Sequence, residues 1–309
     1  MDTANISFTQ AVDGYFLAAQ ARHLSSHTLD DYANTYRKFF KFMQIDLPFR
    51  SISAQKVESF MRVQEVSKKT ILNYAIGLSA LWTWAVKEDL VKANIMSKVD
   101  KPKPEKMAIV PFTRDELKAL LNGLTSCKQY SAFGRKDLSR SLPGSLRNRA
   151  IILVLLDTGI RASELTDAVI RDLDLKNSRL RVMGKGDKER VVPFSARTGQ
   201  ALWKYLATRP DDGPADYLFS TKTATGLDRR NLLRMLGRLG DRAGVPDVHP
   251  HRFRHTFAIN YLRNGGDAFT LQAILGHSTM KMVRVYLRLA QADLDEAHHR
   301  ASPVDRWGL

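Results

Sequence analysis

Hydrophobic residues recur at helical spacing through most of the chain, in stripes that each predict one amphipathic helix. The stripe in residues 28–43 consists of Leu29, Tyr32, Tyr36, Phe39, Phe40 and Met43. The stripe that starts near Ser67 consists of Ile71, Tyr74, Ala75, Leu78, Leu81, Trp82 and Ala85. Residues 53–63 predict a shorter helix between them. Aromatic residues at this spacing are typical of a packed core, so residues 1–100 are expected to form a small helical bundle.

The pattern breaks at residues 99–111, which contain three prolines and three lysines without an apolar period. Such a segment is typical of an extended linker. Thr113 and Glu116 then have the spacing of a capping box, which predicts the start of a helix. The sequence therefore predicts a helical domain in residues 1–100, a linker in residues 101–111 and a second domain in residues 112–309.

The second domain combines helical stripes with one strand pattern. Residues 126–146 are polar and basic and predict a surface loop. Residues 150–156 are apolar on every side, which fits a buried strand or a buried helix; the following Gly159 favours a helix. Residues 173–193 alternate around Gly184-Lys185-Gly186-Asp187, which predicts an antiparallel hairpin. Further helices are predicted at 227–243, 250–263, 269–275 and around Tyr286, so the fold class is mainly α with a small antiparallel β-sheet.

The net charge of the chain indicates what kind of partner it binds. Lys and Arg number 48 against 32 Asp and Glu, which gives a net charge of +16. Residues 1–100 carry only +2 of that excess, and residues 101–309 carry +14. A basic excess confined to one domain can simply be a solvated surface, but it favours a polyanionic partner such as nucleic acid.

Two features of the composition narrow the class of protein. The single cysteine, Cys127, excludes an internal disulfide and a multi-cysteine zinc site. No run of 18 apolar residues occurs, and the first ten residues lack the pattern of a signal peptide. We therefore expect a cytoplasmic protein that has no membrane partner.

Four short blocks of the second domain contain residues suited to phosphate chemistry. Arg161 follows Gly159 at the end of the buried helix, a place where arginines also cap carbonyl groups. Lys185 lies between two glycines at the predicted hairpin tip, where a lysine is also ordinary surface charge. His251 and Arg254 are three residues apart and share one helix face. His277 follows Gly276, and Tyr286 follows nine residues later.

In this order the four blocks resemble the tyrosine recombinase (phage integrase, Xer-like) family, from about residue 8 to residue 290. The resemblance implies a SAM-like core-binding domain on DNA in residues 1–100 and a catalytic domain in residues 112–309. It also implies site-specific cleavage and rejoining of DNA through a 3′-phosphotyrosine intermediate and a Holliday junction, without metal or cofactor. Val283 departs from the family pattern, which commonly has threonine there.

The resemblance also implies a role for each matching residue. Arg161 and Arg254 would hold the scissile phosphate, and His277 would be a further phosphate ligand. Lys185 would be the general acid, His251 a general acid/base and Tyr286 the nucleophile. His255 is interpreted instead as a histidine of the core.

Partner predictions follow from the same resemblance and from one further stripe. Four arginines recur every fourth residue on one face of the predicted helix 227–243: Arg230, Arg234, Arg238 and Arg242. Such a row can follow a phosphate backbone, although a charged solvent face has a similar pattern. Double-stranded DNA is the expected partner, bound by a homo-oligomer that is a tetramer in synapsis, with an accessory protein left open. The segment after about Ala290 is expected to dock on a neighbouring protomer.

Two other functions remain compatible with the sequence. A type IB topoisomerase shares the chemistry but relaxes supercoiled DNA as a monomer. A DNA-binding protein with a decayed catalytic domain would lack cleavage altogether. Site-preferring cleavage and the effect of replacing Tyr286 distinguish them.

Overall fold

The computed structural model describes residues 6–105, 108–124, 144–184, 188–209, 212–221 and 225–304, except for the side chains of 292–297 and 299–301. The chain forms two compact units, Met1–Met107 and Ala108–Leu309. Within the described residues, no helix combines the length and the apolar character needed to cross a membrane. The predicted fold class is confirmed, since the elements are mostly helices accompanied by one small antiparallel sheet.

The first unit is a helical bundle with an aromatic core. Its helices are α1 (Phe8–Ala21), α2 (Ser26–Met43), α3 (Ala54–Arg62) and α4 (Lys68–Lys87). Serine side chains at residues 7, 25, 53 and 67 accept hydrogen bonds from the first turns of these helices and so fix where each begins. The rings of Phe49 and Trp82 stack at 4.7 Å, and the Tyr36 hydroxyl donates to the Gly77 carbonyl at 2.9 Å. The unit therefore has a core of its own.

The second unit has eight α-helices in its described residues and a three-stranded sheet. The helices are α5 (Arg114–Asn122), α6 (Ser145–Thr158), α7 (Ala162–Asp167), α8 (Ala196–Leu206), α9 (Arg229–Ala243), α10 (Pro250–Arg263), α11 (Ala268–Leu275) and α12 (Lys281–Ala301). The strands β1 (Leu173–Asp174), β2 (Arg179–Met183) and β3 (Glu189–Pro193) pair antiparallel in the order β1-β2-β3.

The apolar run at 150–156 is a helix and not a strand. It forms the centre of α6, where Ile151, Ile152, Val154 and Leu155 are completely buried. The helix packs against α8 on one side and α10 on another, which explains why it lacks a polar face. Its position in the core fixes the place where α6 ends, and the candidate site is built at that end.

The segment before α5 is attached to α10 through Arg252 and through Thr256, whose hydroxyl accepts from the Phe112 N–H at 2.8 Å. The Arg252 guanidinium is bonded to both Glu116 carboxylate oxygens, at 2.8 and 2.9 Å, and to the carbonyls of Val110, Pro111 and Pro246. It also lies 4.0 Å from the centre of the Phe112 ring. The capping box of Thr113 and Glu116 is present, as predicted. These contacts hold α10 in a fixed position under the site.

The sequence patterns did not predict every element. The predicted surface loop at 126–146 lies outside the described residues, apart from 144–146. The hairpin at 173–193 is present, with a third short strand, although its tip at 185–187 is also outside the described residues. Helices α1, α7 and α8 were not predicted.

Candidate active site

Two helices end at glycines that lie close together in the site. Gly159 ends α6 with φ +60°, and Gly276 ends α11 with φ +62°. A Cβ atom at Gly159 would lie 2.4 Å from Cδ1 of Phe257, so only glycine fits there without rearrangement. The left-handed backbone ends both helices and leaves their last carbonyl groups available to side-chain donors.

Arg254 is the cation that joins these two helix ends. Its side chain is buried, Nη1 donates to the Gly159 carbonyl at 2.8 Å, and Nη2 donates to the Leu275 carbonyl at 2.8 Å. Nη2 also lies 2.7 Å from Nε2 of His277. Burial, together with the nearby Arg161, lowers the pKa of Arg254 to about 10, which still leaves it charged at neutral pH. A guanidinium has five N–H groups, and these contacts use three of them.

Glu164 is a buried carboxylate that holds two further arginines. Arg161 donates to it from its backbone N–H at 2.8 Å and from Nη1 at 2.7 Å. Arg190 donates from Nη1 at 2.7 Å and from Nη2 at 2.8 Å. Burial alone would raise the pKa of Glu164, but the hydrogen bonds and charges of the two arginines outweigh it and hold this pKa below its ordinary value. Glu164 is therefore an anion that fixes the direction of Arg161.

Arg161 also contacts the second helix end. Its Nη2 donates to the Gly276 carbonyl at 3.2 Å, and its side chain remains one-third exposed. Arg190 donates from Nε to the carbonyl of Ile274 at 2.7 Å. Arg161 and Arg190 thus bind α11 to the N-terminus of α7 and to β3, and Arg161 keeps part of its guanidinium towards solvent.

His277 projects from the end of α11 against Arg254. Because arginine has no acceptor, Nε2 of His277 accepts from Arg254 and the ring proton resides on Nδ1. Nδ1 is buried and has no hydrogen-bond partner among the described residues. Burial, reinforced by Arg254, Arg161 and Arg190, lowers the pKa of His277 to about 4. His277 is therefore a neutral imidazole at neutral pH.

Tyr286 lies on the buried side of α12, one turn after Val283. Both side chains are buried, at 1% and 0% exposure, in a small apolar cluster with residues of α10 and α11. The apolar environment explains a valine at position 283. Burial raises the pKa of Tyr286, although the nearby Arg254 offsets part of that increase. The hydroxyl lies 2.9 Å from Nδ1 of His255, the residue that sequence analysis interpreted as part of the core.

His251 occupies the first turn of α10 and is exposed. Partial desolvation lowers the pKa of His251, and the nearby charges of Arg254, His249, Arg229 and Arg161 lower it further. A neutral histidine at the rim of the arginine cluster can accept a proton. The described residues contain no group of three or more histidine, cysteine, aspartate or glutamate side chains placed to hold a metal ion.

The base of the β2–β3 hairpin lies beside the arginine cluster. The Gly184 N–H donates to the Lys188 carbonyl at 2.8 Å, and a Cβ atom at Gly184 would lie 4.0 Å from Oε1 of Glu164. Lys185, the predicted general acid, lies outside the described residues. An open cleft of about 520 Å³ is lined by the hairpin base, Arg161, Gly276 and His277. The cationic wall of this cleft suits an anionic group such as a phosphodiester.

The arginine row on α9 forms a separate basic surface. Arg230, Arg234, Arg238 and Arg242 are all exposed, opposite the buried leucines 232, 236 and 239. Three of them, Arg234, Arg238 and Arg242, line an open cleft of about 650 Å³ together with Arg147. None of the four forms a salt bridge with a carboxylate in the part of the chain that the structure describes.

The structure brings four of the predicted site residues into one cluster: Arg161, Arg254, His277 and Tyr286. His251 lies at its rim. Sequence reasoning missed Glu164, Arg190 and His255 as members of the site. The spacing of Arg161 and Glu164, three residues apart at a helix start, is a detectable signal for Glu164. Arg190 gives no such signal, because it reaches Glu164 across 26 residues of sequence.

Comparisons with known proteins cover almost the whole chain. Residues 112–293 match the model of the phage integrase family, and residues 8–101 match the phage integrase SAM-like domain. The chain is 30% identical over 310 residues to tyrosine recombinase XerC of Mycobacterium sp. (strain JLS), covering 96% of this chain and 99% of that protein.

Solved structures show the same likeness. The crystal structure of XerA recombinase is 27% identical with a TM-score of 0.52, covering 96% of this chain and 99% of the other. The XerH site-specific recombinase, in a post-cleavage complex with its palindromic difH substrate, is 22% identical with a TM-score of 0.70, covering 95% and 84%. At 22% identity, the likeness to the XerH recombinase concerns the fold alone.

Proposed function

The chain belongs to the phage integrase family and is a tyrosine recombinase, and we propose that it acts in site-specific recombination by cutting DNA with Tyr286. The observation that carries the choice of residues is the cluster itself. Arg161, Arg254 and His277 meet at two helix ends beside an open cationic cleft, with Tyr286 packed behind them. This arrangement supplies a phosphate site and a nucleophile within one domain.

The two arginines are the proposed phosphate ligands. A phosphodiester carries a full negative charge, and more charge develops on its oxygens in the transition state. Guanidinium groups donate parallel hydrogen bonds to such oxygens, and both Arg161 and Arg254 retain N–H groups beyond their contacts to the protein. Because Glu164 and the helix-end carbonyls already hold these groups in place, the stabilisation needs little reorganisation when charge develops.

Proton transfers accompany the proposed strand cleavage. The Tyr286 oxygen forms a bond to phosphorus, and its proton passes to a base, for which His251 is neutral and exposed at the rim. The bond from phosphorus to the 5′-oxygen breaks, and that oxygen takes a proton from Lys185, the proposed general acid. The resulting 3′-phosphotyrosine is then attacked by a 5′-hydroxyl of another strand, which restores the phosphodiester and frees Tyr286.

A covalent-trapping experiment tests this function. The protein is incubated in EDTA with a pool of random-sequence duplexes, nicked so that religation is prevented, and quenched with SDS. We expect DNA attached to the protein through Tyr286, enriched in a preferred sequence, and no attachment with the Tyr286→Phe variant. Attachment that persists in that variant would exclude Tyr286 as the nucleophile. Intact DNA binding without any attachment would contradict cleavage activity.

Both units are proposed to contact double-stranded DNA. Residues 8–101 match the SAM-like domain, and the described part of that unit forms a helical bundle, which supports its core-binding role. The exposed row of Arg230, Arg234, Arg238 and Arg242 supports a further backbone contact on the catalytic unit. A chromosomal or plasmid substrate places the proposed activity in the cytoplasm.

The assembly proposed for strand exchange is a tetramer on two DNA sites. Strand exchange proceeds through a Holliday junction, and the need for an accessory protein is left open. The segment after Ala290 is the proposed contact between protomers. We propose Leu294, Ala297 and Trp307 as its apolar contacts; their side chains lie outside the described part of the structure. Deletion of residues 294–309 should abolish two-site complexes in a gel-shift assay while sparing binding to one site. Normal recombination by that truncated protein would refute the contact.

A further inference from the structure

The proposed nucleophile is inaccessible in the structure. Tyr286 is 1% exposed, so a phosphate that enters the cationic cleft from solvent cannot reach its hydroxyl without movement of the side chain or of α12. The hydroxyl has a defined partner in this buried position, since it lies 2.9 Å from Nδ1 of His255 on the facing helix α10. The two ring centres are 5.7 Å apart. The cleavage steps proposed above do not use this contact.

The positions of the protons indicate what this contact does. Burial, with His251, His249 and Arg254 nearby, lowers the pKa of His255 to about 4, so its imidazole is neutral. Burial raises the pKa of Tyr286. A weak base beside a weak acid leaves the proton on the tyrosine oxygen. In the DNA-free structure the proton therefore stays on Tyr286, and the hydrogen bond to His255 fixes the position of the phenol.

We propose that His255 is a positioning residue that holds Tyr286 in the buried position in the DNA-free protein. Tyr286 leaves His255 when it reaches the phosphate between Arg161 and Arg254. To react, the hydroxyl gives up its hydrogen bond to His255 and approaches the phosphorus atom. When the reaction is over, the side chain can return to His255. This inference rests on the proposed function only for the statement that Tyr286 moves to a phosphate. The hydrogen bond between His255 and Tyr286 is present without DNA.

Two polar variants of His255 separate the hydrogen bond from the rest of the side chain. The amide of His255→Asn occupies the place of Nδ1 and keeps a partner for the Tyr286 hydroxyl. The amide of His255→Gln extends towards the place of Nε2 and removes that partner. Both variants retain a neutral polar side chain on α10, so a general effect of losing the imidazole appears in both.

The first measurement uses the full chain without DNA. Tyrosines are nitrated with tetranitromethane, and the rates for Tyr286 and Tyr205 are followed by peptide mass spectrometry. Tyr205 lies in the same unit, is buried at 4% exposure, and its hydroxyl accepts from Arg209 at 2.9 Å. The ratio of the two rates corrects for general opening of the fold.

One neutral hydrogen bond shifts an equilibrium by about 2- to 12-fold. We expect the ratio of Tyr286 to Tyr205 nitration to rise by about that factor in His255→Gln and to stay near the wild-type value in His255→Asn. An unchanged ratio in both variants, or an equal rise in both, overturns the proposal.

The second measurement is single-turnover cleavage of the trapped duplex at saturating protein. His255→Gln should form the covalent complex at least as fast as the wild type, because less free energy is needed to withdraw Tyr286 from the core. Loss of cleavage in both variants would show that His255 is needed in the reacting state, which contradicts a purely holding role. If the wild type forms no covalent complex, the proposed function fails, whereas the nitration result still decides the contact.

Discussion

Three arginines lie around the candidate site, and their mutual repulsion is reduced by one residue. Glu164 is 3% exposed and accepts hydrogen bonds from both Arg161 and Arg190, while its charge also acts on Arg254. Burying several cations without such a partner would cost several kcal/mol for each unpaired charge. The carboxylate thus allows a dense cationic cluster to exist in the folded protein before any phosphate arrives.

The histidines of the site make the stability of the fold depend on pH. His255 and His277 each have a folded-state pKa of about 4, against about 6.5 in an unfolded chain. Between these two pKa values the unfolded state binds more protons than the folded state. The free energy of unfolding should therefore fall as pH decreases from about 6.5 to about 4. Urea unfolding at pH 7 and pH 5 measures this fall.

The double variant His255→Asn/His277→Asn serves as the control for that prediction, since it lacks both titrating groups. Its unfolding free energy should decrease less over the same range than that of the wild type. An identical decrease in both proteins would mean that other groups, such as His249 and His251, dominate the titration.

Sequence reasoning finds residues whose spacing carries a signal and misses those whose contact is made only by the fold. Arg161, Arg254, His277 and Tyr286 follow recognisable blocks. His255 also follows Arg254 directly, but a histidine on a mostly buried helix face is usually a core residue, and only the packing of α12 against α10 brings Tyr286 to it. The contact of Arg190 to Glu164 likewise depends on where the sheet lies against α7.

At the scale of secondary-structure elements, the ends of two helices position the side chains of the candidate site. Helix α6 ends at Gly159, whose carbonyl accepts a hydrogen bond from Arg254. Helix α11 ends at Gly276, and the carbonyl of the preceding Leu275 accepts another from Arg254. Buried apolar runs fix where each helix lies, and the glycine fixes where it stops. The candidate site is therefore assembled from the ends of rigid elements, which suits its proposed role of holding phosphate oxygens in a fixed geometry.

Gly159→Ala tests the importance of that helix end. A left-handed backbone costs a non-glycine residue roughly 1–2 kcal/mol, and the added Cβ would also clash with Phe257. We expect the variant to lose more stability in urea unfolding than this backbone cost alone, and to lose cleavage because the Gly159 carbonyl holds Arg254. Gly244→Ala is the matched control, since Gly244 ends α9 with φ +68° and a Cβ atom there would meet nothing within 4 Å. Equal losses in the two variants would exclude the close packing as a cause.

The strength of the hydrophobic stripe decided which elements were predictable. Helix α2 has large apolar residues at every turn, and its bounds fall within two residues of the predicted ones. Helix α8 buries Thr198 and Ala201 at two of its four core positions, and α1 buries Ala11 and Ala19. Small or polar core residues weaken the periodic signal although they pack as well as large ones, which is why both helices were missed.

At the scale of the whole molecule, the structure shows where part of the basic excess lies. The basic excess lies in residues 101–309, and part of it forms the exposed row on α9 and the cationic cleft of the site. These are different surfaces of one unit. The proposed function assigns one phosphate group to the cleft, whereas a row of side chains spaced by helical turns fits a succession of phosphates along a backbone.

The salt dependence of DNA binding tests the row on α9. The triple variant Arg234→Gln/Arg238→Gln/Arg242→Gln should weaken binding to all sequences alike and flatten the plot of log K against log salt concentration by up to about 0.9 for each lost phosphate contact. The matched control replaces Arg149, Arg197 and Lys204, three exposed cations of α6 and α8 that line another cleft, by glutamine. Both triples remove the same charge, so a general field effect lowers the two slopes equally, and only a flatter slope confined to the α9 variant assigns the phosphate contacts to that helix.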